Sequence, residues 1–343
     1  MSLPEVLIGA TTLPCEGPYV DILHQAGLTP VFTGSSQQLT EEELLHWLPG
    51  KVAALAGSEP YTRRVLQACP QLRVIARVGV GYDAVDLDAA SELGIVVTIA
   101  PGANHDAVAE HVYALMLALA KEVARQDRLL RQGVWSRRNT LAIRGATLGI
   151  VGLGRIGKAV AQRAAAFQLR VLAYEPYPDL DFVARHQVRL CSLEELLAQS
   201  DWVSLHLPLT PQTRHLVNRH TLALMKPGAF LLNTARGGLV CEQDLIEALR
   251  SGRLAGAGLD VFENEPCLDS PLFRMDNVVL TPHTAGIDQR SAMDMAVLAA
   301  QAVVRLGRGD WPQEWVVNPQ VRSHAGWLDR PRTSSAPATV PVE

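Results

Sequence analysis

Short apolar runs alternate with amphipathic stretches along most of the chain, which is the pattern of a parallel sheet covered by helices on both faces. The alternation runs through twice. In the first lobe the predicted strands are EVLIGA, TPVFT, VAALAG, LRVIARV and GIVVTIA, separated by helical stretches such as TEEELLHWL and YTRRVLQAC. Thr40 followed by Glu43 predicts a capping box that opens the first of these helices. In the second lobe the predicted strands are TLGIVGLG, LRVLAYE, DWVSLHLP, AFLLNTA, GAGLDV and NVVLTPH, again with helices between. The expected fold class is therefore α/β, with two doubly wound parallel-sheet domains.

Between the lobes runs AVAEHVYALMLALAKEVARQ, apolar around most of its circumference. Such a helix needs cover on several sides, either inside one core or against another subunit. A last helix, roughly Asp288 to Leu306, has no further strand to serve and is expected to return to the first lobe, making it discontinuous. The expected boundaries are 1–102 with 289–320 for the first domain and 103–288 for the second. Residues 321–343, rich in Pro, Ser, Ala and Thr without a sustained period, read as a disordered tail.

A chain of 343 residues with 48% hydrophobic and 19% charged residues can bury two sizeable cores. Its 31 basic and 35 acidic residues give a net charge of -4, which offers no footprint for nucleic acid or an anionic membrane. Five widely spread cysteines without a C-x-x-C pair predict a reducing compartment, hence the cytoplasm. No secretory leader is read at the N-terminus, and the most membrane-like run is interrupted by Glu110 and His111.

The chemistry begins at Gly152, Gly154 and Gly157, spaced G-x-G-x-x-G directly after a predicted strand and before a predicted helix. The first glycine permits the tight turn, the second lets a pyrophosphate approach the backbone, and the third lets helix and strand pack closely. The bland alternative is a turn with no ligand. The next strand, however, ends in Glu175, where an acid hydrogen-bonds ribose hydroxyls, and Pro176 and Tyr177 follow instead of an arginine for a 2′-phosphate. NAD is the cofactor expected. Arg155 inside the loop either approaches the pyrophosphate or stands in solvent.

Three further residues stand at strand ends of the second lobe: Arg236 in FLLNTARGG, Glu265 in LDVFENEP and His283 in VLTPHTAG. Oxidising a hydroxy acid removes an O–H proton as hydride leaves carbon, which suits a histidine titrating near neutral pH. A carboxylate beside it fixes its tautomer, and an arginine grips a substrate carboxylate through two hydrogen bonds. Taken singly, each has a plain structural reading, as a hydrogen-bonding histidine, an ordinary ion pair or a turn. Their joint appearance after a dinucleotide loop favours the chemical one.

The chain resembles the D-isomer-specific 2-hydroxyacid dehydrogenases, and among them the phosphoglycerate dehydrogenase-like members. The resemblance spans nearly everything up to Asn318 and rests on RVGVGYDAVDL, APGANHDAVAEHVYALMLALA, GLGRIGKAVA, LHLPLTPQTRHLV, LLNTARGGLV, LDVFENEP and TPHTAG. It implies a flavodoxin-like substrate domain interrupted by a Rossmann NAD-binding domain. Arg236 is then the substrate-binding arginine, His283 the acid/base and Glu265 its partner. The backbone at Val80 and Gly81 cradles the substrate carboxylate. Val108, the loop residues Arg155 and Ile156, and His206, Pro208, Thr213, Thr234, Ala235 and Asp260 line the cofactor site. The helix near Ala107 is implied to be a dimerisation helix, so a homodimer is expected.

Departures from the family pattern bear on substrate. Members acting on 3-phosphoglycerate commonly carry Arg-Ser after the third strand, where this chain has Gly57 and Ser58, while Arg77, the second basic position, remains. Half of that phosphate grip is missing, which counts against 3-phosphoglycerate itself within an expected class of phosphoglycerate-, hydroxypyruvate- and glyoxylate-like acids. The chain also stops before the regulatory domain that follows in many such enzymes, so control by that route is not expected.

Other classes fit less well. No tyrosine has a lysine four positions on, as short-chain dehydrogenases require, and formate dehydrogenases of this superfamily carry glutamine where Glu265 stands. His215 and His220 are five apart and do not share a helix face, no H-E-x-x-H occurs, and no metal is expected. The non-enzyme alternative is an NAD(H)-sensing, corepressor-like interaction protein without turnover. The Arg-bearing stretch RQDRLLRQGVWSRR reads as a solvated helix and loop rather than its contact patch.

Overall fold

Five of the twelve described strands are buried at every position. Ala53–Ala56, Val74–Arg77 and Thr147–Val151 show none of the in-and-out alternation of a half-exposed sheet, because helices cover both faces. The computed structural model describes residues 3–324 and 326–328. It divides into two units, one drawn from the residues up to Asn104 together with those from Gln289 onward, the other continuous from His105 to Asp288.

The first unit holds a five-stranded parallel sheet of order β2-β1-β3-β4-β5, with β1 at Glu5–Ile8, β2 at Thr29–Phe32, β3 at Ala53–Ala56, β4 at Val74–Arg77 and β5 at Val96–Thr98. The capping box forms: the backbone N–H of Thr40 donates to Glu43 Oε2 at 2.7 Å, and the N–H of Glu43 donates to the threonine hydroxyl at 3.3 Å. An N-cap of this kind stabilises its helix by about 1 kcal/mol. The helix Gln289–Gly307 packs on the helix Pro18–Gln25 and on β3 and β4, so the chain does return to its first sheet.

Order persists past the point where the sequence pattern begins a tail. Val321 is buried, and Trp327 and Leu328 pack against the first unit's core, since large apolar side chains find cover there that no periodicity could announce. The remainder of the expected tail, 329–343, lies outside the described residues.

The second unit holds a seven-stranded parallel sheet of order β12-β11-β10-β9-β6-β7-β8. Its strands are β6 at Thr147–Val151, β7 at Arg170–Tyr174, β8 at Arg189–Leu190, β9 at Trp202–Leu205, β10 at Ala229–Asn233, β11 at Leu254–Leu259 and β12 at Val278–Leu280. Nothing in the sequence pattern predicts the edge strand β8; two residues are too few to carry one. Strand order reverses between β6 and β9, the switch point beside which open α/β sheets bind ligands at their carboxyl ends.

The apolar helix expected as one piece is two, His105–Ala120 and Val123–Arg131, broken where Glu122 takes a left-handed φ of 51°. The first half is a core helix of this unit, burying among others Val112, Leu115, Met116 and Leu119. The second half buries no residue, so no core packing carries the first helix on through it. Arg125 and Arg138 both donate to the Glu122 carboxylate, at 3.2 and 3.1 Å, and fasten the break.

Candidate active site

Strands β10, β11 and β12 are neighbours in that order, so the segments leaving their carboxyl ends lie side by side. Arg236 stands three residues after β10, Glu265 six after β11, and His283 three after β12. Adjacency in the sheet brings together residues that are far apart in sequence.

Local devices aim each segment. Asn233, buried at the end of β10, donates through Nδ2 to the Arg236 carbonyl at 2.9 Å and accepts the Ala235 N–H at 3.1 Å, which bends the chain around the arginine. The next residue, Gly237, lies so close to the segment after β11 that a Cβ there would come within 1.8 Å of the Phe262 carbonyl oxygen. Only glycine allows this backbone-on-backbone approach. Phe262 in turn donates its N–H to Glu265 Oε1 at 2.9 Å, and Glu265 Oε2 lies 2.6 Å from His283 Nδ1.

Burial pushes the Glu265 carboxyl up, but the hydrogen bond and charge of His283, the Phe262 N–H and the charge of Arg236 together hold it below the usual carboxylate value. An ionised carboxylate only accepts, so Nδ1 of His283 carries the proton between them and Nε2 is left to exchange one with a substrate. Both side chains keep access to solvent, at 40% and 32% exposure. His283 itself sits at a φ of 55°, a left-handed conformation that costs a residue other than glycine about 1–2 kcal/mol.

That conformation is held from Asp260. Its carbonyl accepts the His283 N–H at 2.7 Å, and its buried carboxylate accepts the N–H groups of Thr284 and Ala285, both at 2.8 Å. Asp260, expected to line the cofactor site, therefore also shapes the histidine's turn. A second pair lies alongside: His215 Nε2 and Glu263 Oε1 are 2.6 Å apart, and Glu263 and Glu242 each accept the other's backbone N–H at 3.2 Å. Sequence spacing raises His215 only as a metal ligand; its partner is invisible there because Glu263 is 48 residues away. Among the described residues no group of His, Cys, Asp and Glu comes together to hold a metal.

The glycine loop leaves β6 as expected. Gly152 turns at a φ of 98°, where a Cβ would meet the His206 carbonyl oxygen at 2.7 Å, and a Cβ on Gly157 would meet the Gly152 carbonyl oxygen at 2.1 Å. Gly154 is different. It is exposed, a Cβ there would meet nothing within 4 Å, and it caps the helix Arg155–Ala164 with no side-chain hydrogen bond. Arg155, Ile156 and Gly157 form the first turn of that helix, whose N–H groups lack partners within the helix, the arrangement that suits an anion at a helix start.

Glu175, at the end of β7, accepts the Leu153 N–H at 2.8 Å and the Tyr177 N–H at 3.0 Å, which fixes a carboxylate beside the loop. After β9 come His206, whose Nε2 is 2.9 Å from the Ser204 hydroxyl, and Pro208, whose carbonyl accepts the Thr213 hydroxyl at 2.7 Å. Burial pushes the His206 imidazole down to about 3. Nδ1 of His206 and the hydroxyl of Thr234, beside Ala235 after β10, are buried without a hydrogen-bond partner. Val108 is buried in the helix His105–Ala120. Orphaned polar atoms and an open helix N-terminus along one sheet edge are what a dinucleotide would satisfy, so these residues fit one.

In the first unit, Arg77 closes β4. It is 7% exposed, and it donates through Nε to the Gly81 carbonyl at 2.7 Å and through Nη1 to the Ala56 carbonyl at 3.0 Å. It thereby fastens the turn that carries Val80 and Gly81. Glu59, which no sequence motif singles out, is buried beside it with both carboxylate oxygens unpartnered. Burial pushes its carboxyl up against the opposing charge of Arg77.

Residues 113–285 match the family described as D-isomer specific 2-hydroxyacid dehydrogenase, NAD binding domain. The D-3-phosphoglycerate dehydrogenase of Methanocaldococcus jannaschii is 38% identical over 314 residues, which are 90% of this chain and 59% of that protein. The chain thus spans about three fifths of the length of that relative. The glyoxylate reductase of Korarchaeum cryptofilum is 41% identical over 271 residues, 77% of this chain and 81% of the other. A solved structure from Thermus thermophilus superposes with a TM-score of 0.82 at 40% identity, covering 91% of this chain and 99% of that one.

Proposed function

The chain belongs to the D-isomer specific 2-hydroxyacid dehydrogenase family, and from that premise we propose that it is an NAD-dependent oxidoreductase interconverting a D-2-hydroxy acid and its 2-oxo acid. The observation that carries the reading is the 2.6 Å pairing of His283 Nδ1 with Glu265. It leaves one imidazole nitrogen to exchange a proton and sets a fixed negative charge behind the ring.

Nicotinamide, when bound, accepts or delivers the hydride. The chain's own residues do the rest. Arg236 grips the substrate carboxylate, and in the reductive direction His283 gives the Nε2 proton to the oxygen that becomes the hydroxyl. Glu265 stabilises the imidazolium before that transfer and keeps the ring from turning afterwards. Gly152, Gly154, Arg155, Ile156 and Gly157 hold the pyrophosphate, and Glu175 holds the ribose. Val108, His206, Pro208, Thr213, Thr234, Ala235 and Asp260 complete the cofactor's surroundings. Arg77, Val80 and Gly81 are the first unit's substrate-binding residues, with Arg77 acting through the turn it fastens.

Small hydroxypyruvate- and glyoxylate-like acids are the proposed substrates, reduced when NADH is plentiful. No metal takes part in the proposed reaction. A cytoplasmic homodimer completes the reading, supported by cysteines that are all free and by Leu130, Val134, Trp135 and Leu141, exposed on and after the helix Val123–Arg131. No helix among the described residues is long and apolar enough to cross a membrane.

The test is consumption of NADH and NADPH with glyoxylate, hydroxypyruvate, pyruvate and phosphohydroxypyruvate, alongside light scattering for the dimer. Reduction of at least one acid with NADH preferred is expected. A protein that binds NADH yet reduces no 2-oxo acid at any pH would overturn the assignment.

A further inference from the structure

The side chain of Asp260 is 1% exposed and takes, besides the two backbone N–H groups of the histidine's turn, the hydroxyl of Thr281 at 2.6 Å. That hydroxyl has a single proton, and a carboxylate can only accept, so the proton points at Asp260. The Thr281 oxygen is also 2.9 Å from Nε2 of His111, on the helix His105–Ala120. Toward His111 the hydroxyl can only accept, which fixes the proton of that imidazole on Nε2. Donors therefore run in one direction, from His111 Nε2–H to Thr281 Oγ1–H to Asp260.

The far end of this chain is the backbone of His283. Asp260 accepts His283 N–H through its carbonyl and the next two N–H groups through its carboxylate, and those bonds hold the turn that places His283 at a φ of 55°. A strained conformation persists only where its surroundings over-determine it. If Thr281 or Asp260 turns away, the constraint on His283 slackens. A donor on a core helix, 172 positions away in sequence, is what keeps the hydroxyl and the carboxylate in place.

We propose that His111 is a positioning residue for the proton-exchanging His283, acting through Thr281 and Asp260 and touching neither substrate nor cofactor. The proposal rests on the reading of His283 given above. It requires of His111 a hydrogen-bond donor, not a charge.

Two kinds of measurement test it. In steady-state kinetics, His111→Phe and Thr281→Val each lower kcat roughly tenfold or more, the scale of a reacting group displaced by less than an ångström. The KM for the oxo acid stays within about twofold, because uniform substrate binding is untouched. The double variant is no slower than the worse single one, since both cut the same chain. Thr281→Ser and His111→Gln, which keep the donors, retain most of the turnover. Additive losses, a rise in KM alone, or a Thr281→Ser enzyme as slow as Thr281→Val would each overturn the proposal.

The second measurement needs no turnover, so it stands even if the proposed reaction fails. Nitrogen NMR of the wild type should show His111 protonated on Nε2, and amide exchange at Thr284 and Ala285 should quicken in His111→Phe but not in His111→Gln. A proton on Nδ1 alone, or exchange unaltered in His111→Phe, overturns the network. Absence of turnover in the wild type, with the NMR as expected, would fail the reading of His283 and leave the network standing.

Discussion

Glu265 and His283 form a pair in which one carboxylate oxygen meets Nδ1 at 2.6 Å and the other takes the N–H of Phe262 at 2.9 Å. Burial opposes the charge on Glu265, but the histidine, the N–H and Arg236 more than offset it, so its carboxyl titrates below the usual value. A depressed carboxylate contributes its stabilisation above its unfolded pKa and loses it as pH falls through the folded one. The pair is thus intact through the neutral range.

Glu265→Gln keeps an acceptor but removes the charge that favours an imidazolium. It should slow turnover by about 10- to 100-fold and alter the reductive pH–rate profile. A profile that stays in place while the rate falls would mean that the carboxylate only orients the ring.

Two glycines separate what the fold needs from what the ligand needs. At Gly237 a Cβ would sit 1.8 Å from the Phe262 oxygen, so Gly237→Ala should cost about 1–3 kcal/mol of stability as the two segments are forced apart. Turnover falls with it, because those segments carry Arg236 and Glu265. At Gly154 a Cβ meets nothing, so Gly154→Ala should melt within a few degrees of the wild type yet bind NADH at least tenfold more weakly, on the order of 1.4 kcal/mol. Unchanged NADH affinity in Gly154→Ala would remove the pyrophosphate from that loop.

Much of this arrangement was legible in the sequence because parallel strands buried on both faces declare themselves as apolar runs. Ten or so such runs in βα alternation fix the class of fold. The glycine loop, Glu175, Arg236, Glu265 and His283 were legible because each follows such a run directly. What stayed hidden was lateral. Gly237, Thr281 and His111 act on segments elsewhere in the chain, and only the order β10-β11-β12 says which strand ends meet. The break at Glu122 was hidden for a similar reason, since helix propensity continues through it and only the loss of a core to pack against ends the first helix.

His206 should leave a signature in stability. Its imidazole is pushed by burial from 6.5 down to about 3, so the folded chain keeps it neutral. Above the ordinary value neither folded nor unfolded chain binds the proton, and stability is flat with respect to this group. As pH falls through 6.5 the unfolded chain takes up a proton that the folded chain refuses, and stability is lost until about pH 3. Each tenfold difference in proton affinity between the two states is worth about 1.4 kcal/mol, so the loss amounts to about 5 kcal/mol at most. Urea unfolding at neutral pH and in mild acid, on wild type and His206→Gln, measures it. The stability difference between the two proteins should shift against the wild type on acidification, and a constant difference would show that the ring gains access to water.

Cofactor choice is expected to turn on Glu175. Its two oxygens are pinned by the N–H groups of Leu153 and Tyr177, so the carboxylate cannot swing away from a ribose placed beside the loop. A 2′-phosphate would bring a second anion against it with only Pro176 and Tyr177 following in sequence, neither of which can neutralise it. Glu175→Gln keeps acceptors for the ribose hydroxyls but drops the charge, and should raise kcat/KM for NADPH by about tenfold while NADH changes little. Glu175→Ala also loses the hydrogen bonds to the ribose and to the loop, so NADH use should fall as NADPH use rises. The two variants together distinguish repulsion from hydrogen bonding. If NADPH gains in neither, the acid does not face the 2′ position, and its two backbone bonds are its whole purpose.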